Sequence, residues 1–343
     1  MASPELDTVL QMIRARSLEV RNTIEDHRLS YERIMAKLPT EDDITTEKLA
    51  AGGVPAEWID APNADKSTVF LYLHGGGYAF GSMRTHRVML AHVSRAAGTR
   101  VLGLDYRLAP EFPFPAPVED SVAAYRWLLG QGVDPKKIVI GGDSAGGGLM
   151  VAVLVALRYM GEPLPAAGVG ISAWTDMEAT GQSFTSNAEV DPSVSRDRIL
   201  SIAKLYMADK DPSAPLASPI HADLTGLPPL LLQVGSIETL LDDTNELAKR
   251  AKAAGVQVEV DVWDDMPHVW HHFAPILPEA RQAIERIGEF VKPHTGEVLL
   301  VKGRCTGSWS RVEFHQKHGL AVLVAIRSAG MVINGYAGQL VQN

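Results

Sequence analysis

The chain holds a single cysteine, Cys305, among its 343 residues. An internal disulfide is therefore impossible, and nothing points to assembly in an oxidising compartment. Positive charge is also scarce: 32 Lys and Arg stand against 41 Asp and Glu, a net charge of −9 with no basic run. That balance argues against nucleic acid or an anionic membrane surface as a partner. Long apolar runs are missing as well. The longest, residues 149–157, is too short to span a bilayer and stops at Arg158. The opening seven residues contain neither the basic nor the apolar segment of a secretory leader, so a cytoplasmic protein is expected. The chain also lacks G-x-x-x-x-G-K-[ST], a G-x-G-x-x-G opening a helix after the apolar run 68–73, and H-E-x-x-H. His86 and His92 are not spaced as a ligand pair, so no nucleotide cradle and no metal site are expected.

What is present is a regular alternation. Residues 5–36 read as helix, with Leu6, Val9, Leu10, Ile13 and Leu18 at helical spacing among charges. Strands are expected at 54–59, 68–73, 100–106, 137–141, 167–173, 229–235 and 256–263. Helices are expected between them at 86–97, 118–129, 145–159 and 242–254, and after the last strand at 278–291. Continuous Val/Ile/Leu strands alternating with helices predict an α/β fold, a mainly parallel sheet with helices on both faces. Two stretches break the rhythm. Residues 176–225 are polar and proline-bearing with one helical run at 197–207, as befits an insertion that covers a pocket. The tail from 294 carries a net charge of +3 against −12 for the rest, and holds the cysteine. The organisation expected is an N-terminal helical part of a cap (1–50), a core in two parts (51–175 and 226–293), a cap insertion (176–225) and an atypical tail (294–343).

The chemistry is expected at Gly142-Asp143-Ser144-Ala145-Gly146, between the apolar run 138–140 and the apolar helix that follows. A serine on a sharp strand-to-helix turn flanked by glycines is a nucleophile elbow, and the N–H of Ala145 would point at a developing oxyanion. A serine needs a base, and the base needs an acid to orient it. His268 follows the strand 256–263 after a short loop, with His271 and His272 as local competitors. Glu238 is the first carboxylate past the strand 229–235, whereas Asp242 and Asp243 suit the start of the next helix. The run His74-Gly75-Gly76-Gly77-Tyr78 directly after a strand can turn N–H groups into a pocket, with Gly75 and Gly76 as oxyanion donors beside Ala145.

Together these residues resemble the hormone-sensitive-lipase-like branch of the α/β-hydrolases, the bacterial family IV esterases. The resemblance is carried by H-G-G-G-Y at 74–78 with Gly81-Ser82, by Asp105-Tyr106-Arg107-Leu108-Ala109-Pro110-Glu111 and by Phe114-Pro115-Ala116. It continues in Gly142-Asp143-Ser144-Ala145-Gly146-Gly147, Trp174-Thr175-Asp176, Asp191-Pro192 and Pro267-His268-Val269-Trp270. It covers roughly residues 5–293. It implies an eight-stranded sheet with a helical cap, Ser144 as nucleophile, His268 as base, carboxylic esters of short to medium acyl chain as substrates, and no cofactor. Tyr78, Phe80, Asp143, Trp174 and Phe184 are the expected pocket residues. An amidase or deacetylase would use the same parts, and a non-catalytic small-molecule receptor of this fold would lack the histidine. Two departures stand out. The family more often carries Asp where this chain has Glu238, and the tail from about Gly296 has no counterpart. Relatives often form homodimers through the last strand and helix, which the tail puts in question. The tail reads as an appended segment, a vector read-through or a frameshifted end ahead of a docked hairpin.

Overall fold

The computed structural model describes residues 3–17, 23–296, 311–317, 320–326 and 332–336. The chain divides into two compact units, Met1–Thr295 and Gly296–Asn343. In chain order the first unit begins α1 (Pro4–Ser17), α2 (Ile24–Met35), β1 (Thr45–Ala51), β2 (Val54–Asp60), β3 (Asp65–Leu73), α3 (Met83–Ala97) and β4 (Thr99–Leu104). It continues α4 (Ala116–Gly130), β5 (Ile138–Asp143), α5 (Ala145–Tyr159), β6 (Ala167–Ile171), a one-turn α6 (Ser183–Ser186) and α7 (Arg196–Met207). It closes with β7 (Leu230–Gly235), α8 (Leu241–Ala253), β8 (Val258–Trp263) and α9 (Pro278–His294).

The strands form one eight-stranded sheet in the order β1-β2-β4-β3-β5-β6-β7-β8. The β1–β2 and β2–β4 pairs are antiparallel, and every pair from β4 to β8 is parallel. Alternate side chains of β3 enter opposite cores. Val69, Leu71 and Leu73 pack with α4 and α5, while Phe70 and Tyr72 pack with α3 and α9. This is the period-two reading of a strand covered on both faces. Helix α5 is apolar all round because Ala145 through Leu157 are buried on every side. The chain runs from β3 to β4 on one side and returns to β5 on the other. The carboxyl ends of β3 and β5 therefore meet at the point where strand order reverses, and a crevice opens there.

Two expectations need correction. Residues 5–36 are two helices, because Thr23 starts the second with a capping box. Its hydroxyl accepts from Asp26 N at 3.1 Å, and the Asp26 carboxylate accepts from Thr23 N at 3.0 Å. Leu18, placed on the single expected helix, lies outside the described residues. The cap segment 1–50 is too long at its C-terminal end, since residues 45–51 are strand β1. This strand is exposed and polar along most of its length, so it offers no hydrophobic alternation to read. It turns into β2 through Gly52 and Gly53, with φ of 62° and 90°, the left-handed pair that a two-residue hairpin requires.

The second unit contains β9 (Arg311–Lys317), β10 (Leu320–Ile326) and β11 (Val332–Tyr336). They form an antiparallel sheet in the order β11-β10-β9, with His315 opposite Val322 and Asn334 opposite Val324. Cys305 lies outside the described residues. Among the described residues no helix is long and apolar enough to cross a membrane.

Candidate active site

Ser144 stands between the last residue of β5 and the first of α5, at φ 53° and ψ −121°. Such a backbone is costly for any residue with a Cβ and persists only where the surroundings impose it. Here they do: Ser144 N donates to Ile171 O at 2.8 Å, and Trp174 N donates to Ser144 O at 2.9 Å. The flanking glycines answer to space. A Cβ on Gly146 would overlap the Leu73 carbonyl, and one on Gly142 would overlap the Gly146 carbonyl. The strand and helix are thereby pressed together, and the Ser144 hydroxyl stands on their joint.

The other two expected residues reach it from neighbouring strand ends. His268 Nε2 lies 3.0 Å from Ser144 Oγ, and His268 Nδ1 lies 2.8 Å from Glu238 Oε2. A carboxylate only accepts, so Nδ1 carries the proton and Nε2 offers its lone pair to the serine hydroxyl. Glu238 is fully buried. Its other oxygen accepts from Gly235 N at 2.6 Å and from Ser172 Oγ at 2.7 Å. Ser172, which the sequence did not single out, also accepts from Val269 N at 3.2 Å and so ties the acid to the residue after the histidine. Burial lowers the His268 imidazole, but the hydrogen bond and charge of Glu238, then the charges of Asp191 and Asp143, outweigh it. The ring therefore titrates above the usual histidine value of about 6.5.

The competitors are engaged elsewhere. His271 bonds Gln233 Oε1 at 2.8 Å, and burial pushes it down to about 3, so it is a neutral core histidine. His272 Nε2 lies 2.9 Å from Tyr31 OH. Asp242 accepts from Ser183 N at 2.8 Å. Asp243 is buried and accepts from the N–H groups of Thr175 and Asp176 at 2.7 and 3.0 Å; burial pushes its carboxyl up to about 7.

The glycine run needs one revision. Gly75 N donates to Asp143 Oδ1 at 2.9 Å, so it is not turned toward Ser144 and is not an oxyanion donor. Gly76 and Gly77 border the cavity beside Ser144. No acceptor among the described residues takes the N–H of Gly76, Gly77 or Ala145. Gly77 thus replaces Gly75 in the candidate donor set. Asp143 is the anchor of this loop. It also accepts from Tyr72 OH at 2.9 Å and faces His86 Nε2 at 3.2 Å. Burial disfavours its charge, yet His86, His272 and Tyr72 more than compensate and hold it well below the usual carboxylate range. His86, Asp143 and His272 offer ligand atoms within 4.8 Å of one another. The carboxylate is already engaged by Gly75 and Tyr72, and His86 Nδ1 by Thr85 Oγ1 at 2.8 Å. Through these bonds, and through Gly75 N lying 3.3 Å from His86 Nε2, Asp143 and His86 support the glycine loop.

A cavity of about 140 Å³ opens on Ser144 and His268. One wall comes from the N-terminal helices through Met12, Ile13, Ile34 and Met35, the other from the insertion through Val194, Ile199 and Ile202. Of the five aromatic and acidic residues named for the pocket, Phe80, Asp143 and Trp174 line this cavity. Tyr78 and Phe184 do not. Tyr78 is buried and stacked on Tyr206, with ring centroids 3.8 Å apart, and Phe184 is buried in the core around α5.

The family profile described as the alpha/beta hydrolase fold matches residues 70–272. An acetyl-hydrolase of Streptomyces hygroscopicus is 46% identical over 299 residues, covering 87% of this chain and 100% of that protein. Among solved structures, an esterase from the bacterial hormone-sensitive lipase (HSL) family is 68% identical with a TM-score of 0.85, covering 86% of this chain and 100% of that one. EstE5, soaked by p-nitrophenyl butyrate in one structure and solved as EstE5-PMSF in another, is 47% identical over 86% of this chain and 99% of its own, with TM-scores of 0.83 and 0.82. With the sheet order and the elbow in place, the chain belongs to the hormone-sensitive-lipase-like branch of the α/β-hydrolases, the bacterial family IV esterases.

Proposed function

We propose that this protein is a serine carboxylesterase that hydrolyses short- to medium-chain carboxylic esters through an acyl-enzyme. The observation that carries the reading is the continuous hydrogen-bond line Ser144 Oγ, His268, Glu238, at 3.0 and 2.8 Å, opening on an apolar cavity. Ser144 Oγ attacks the ester carbonyl carbon while His268 Nε2 takes its proton, and Glu238 compensates the imidazolium that forms. The carbonyl oxygen gathers charge among the N–H groups of Gly76, Gly77 and Ala145. Each such donor is worth about 2.7–4 kcal/mol of transition-state stabilisation. The intermediate collapses, and His268 hands its proton to the departing alcohol. A water molecule, deprotonated by the same nitrogen, then releases the acid.

The acetyl-hydrolase relative supports the short end of the acyl range, and the EstE5 structure with PMSF supports a serine nucleophile, since that reagent sulfonylates activated serines. The test is a fluorophosphonate adduct located by mass spectrometry, together with the activity of Ser144→Ala on a p-nitrophenyl ester series of increasing acyl length. The adduct is expected on Ser144 and turnover is expected to vanish in the variant. Wild-type turnover in Ser144→Ala would end the reading.

A further inference from the structure

The loop after α6 holds a carboxylate to which the reaction steps above assign no part. Asp191 Oδ1 accepts from the N–H groups of Ser193 and Val194 at 2.8 and 3.1 Å. Both residues line the cavity beside Ser144 and His268. Its other oxygen, Oδ2, accepts from Thr239 N at 2.8 Å and from Thr239 Oγ1 at 3.0 Å. Thr239 is the residue after Glu238. The same loop makes two more attachments there: Asn187 Nδ2 donates to Glu238 O at 2.8 Å and to Ser236 O at 3.0 Å. On its far side the Pro192 carbonyl accepts from Ser17 Oγ of α1 at 2.6 Å. One carboxylate thus grips the cavity wall with one oxygen and the acid-bearing loop with the other.

We propose that Asp191 is a positioning residue that locks the insertion wall of the substrate cavity to the Glu238 loop, keeping the Ser144–His268–Glu238 line aligned and adding its own charge to the field at His268. The proposal rests on the triad reading above. Three carboxylates bear on the His268 imidazole: Glu238 by direct hydrogen bond, and Asp191 and Asp143 through space. Asp191 is the member that belongs to the insertion. An asparagine in its place keeps the shape, removes the charge, and must turn an NH₂ either against Thr239 N–H or against the N–H groups of Ser193 and Val194. One of the two grips is lost in either orientation.

The experiment is the pH profile of kcat and kcat/KM on p-nitrophenyl butyrate for wild type, Asp191→Asn and Thr239→Val, with melting temperatures. Loss of a hydrogen bond to a charged group predicts a fall in kcat of about tenfold or more for Asp191→Asn. Its acid limb should move to lower pH, because the raising charge is gone. Thr239→Val keeps the charge, so its limb should stay in place while kcat drops several-fold. An Asp191→Asn enzyme with an unmoved acid limb overturns the proposal, whether kcat is retained or lost, since loosening of the cap alone would leave the limb where it is. Should Asp191→Asn fail to fold, Thr239→Val decides: a several-fold loss of kcat supports the grip and an unchanged kcat refutes it. Ser144→Ala separates the two levels. If it is inactive while Asp191→Asn is unaltered, only the role of Asp191 falls; if it is active, the triad falls first.

Discussion

Replacing Glu238 by glutamine is the sharpest probe of the site, because the surroundings dictate how the amide must sit. The Oε1 position accepts from Gly235 N and Ser172 Oγ, two buried donors at 2.6 and 2.7 Å. Turning an NH₂ toward them would leave both unsatisfied, at about 1–3 kcal/mol each. The amide oxygen therefore stays there, and the NH₂ faces His268 Nδ1. A donor at that point forces the opposite tautomer: Nδ1 becomes the acceptor and Nε2 carries the proton. The nitrogen 3.0 Å from Ser144 Oγ then has no lone pair with which to accept the serine proton. A histidine locked in the wrong tautomer lowers kcat by about 10⁴-fold, roughly 5.5 kcal/mol of barrier. The assay is kcat on p-nitrophenyl butyrate, with the rate of fluorophosphonate labelling of Ser144 as an independent measure of nucleophilicity and a thermal melt to confirm folding. Asp242→Asn is the matched control. Its carboxylate accepts from Ser183 N and has no part in the line to the serine, so kcat should stay within about threefold of wild type. A folded Glu238→Gln enzyme that keeps about a tenth of its kcat or more would refute the reasoning. A collapse of Asp242→Asn beside an intact Glu238→Gln would move the acid to Asp242.

Two further outcomes follow from geometry already described. Gly77 has φ +61°, and a Cβ there would lie 2.6 Å from Ile202 Cγ2. Gly77→Ala should therefore displace an oxyanion donor and lower kcat about 10²-fold with a smaller change in KM; an unchanged kcat would remove Gly77 from the donor set. Asp243 has a folded-state pKa of about 7, raised by burial. Its contribution to stability is complete below the unfolded value of about 3.9 and is lost as pH rises through 7. Asp243→Asn should accordingly gain stability relative to wild type between pH 5 and pH 8, on the order of 2 kcal/mol in denaturant melts. A difference that does not vary with pH would show that Asp243 does not titrate in that window.

Much of the site was legible because its parts are local. Ser144, Glu238 and His268 each follow a strand at a short, recognisable distance, and a strand end in a parallel sheet fixes which side of the molecule a residue occupies. The central strands and helices were legible because burial on both faces makes them continuously apolar. What escaped depends on partners distant in the chain. Gly75 and Gly77 are the same residue type two positions apart, and only the arrival of Asp143 beside Gly75 decides which N–H is left for an oxyanion. Tyr78 looks like a pocket aromatic until Tyr206, 128 positions later, covers its face. Strand β1 was invisible because its exposed, polar residues contribute pairing rather than burial. The break before α2 did leave a trace, Thr23 three residues before Asp26, which is the spacing of a capping box at a helix start.

The two cavity walls come from α1, α2 and the insertion, whereas Ser144, Glu238 and His268 sit on the ends of the sheet. Selection for a new ester can therefore work on wall residues such as Met12, Ile34 and Ile202 while leaving the reaction itself intact. In such a scaffold, preference and chemistry are inherited almost separately, and a lineage can diversify its diet without first relearning how to cut the bond. The Asp191 loop is where that independence stops. Drift that rebuilds the wall around residues 193–194 drags on the acid-bearing loop, so this short stretch should change least freely as the rest of the cap wanders.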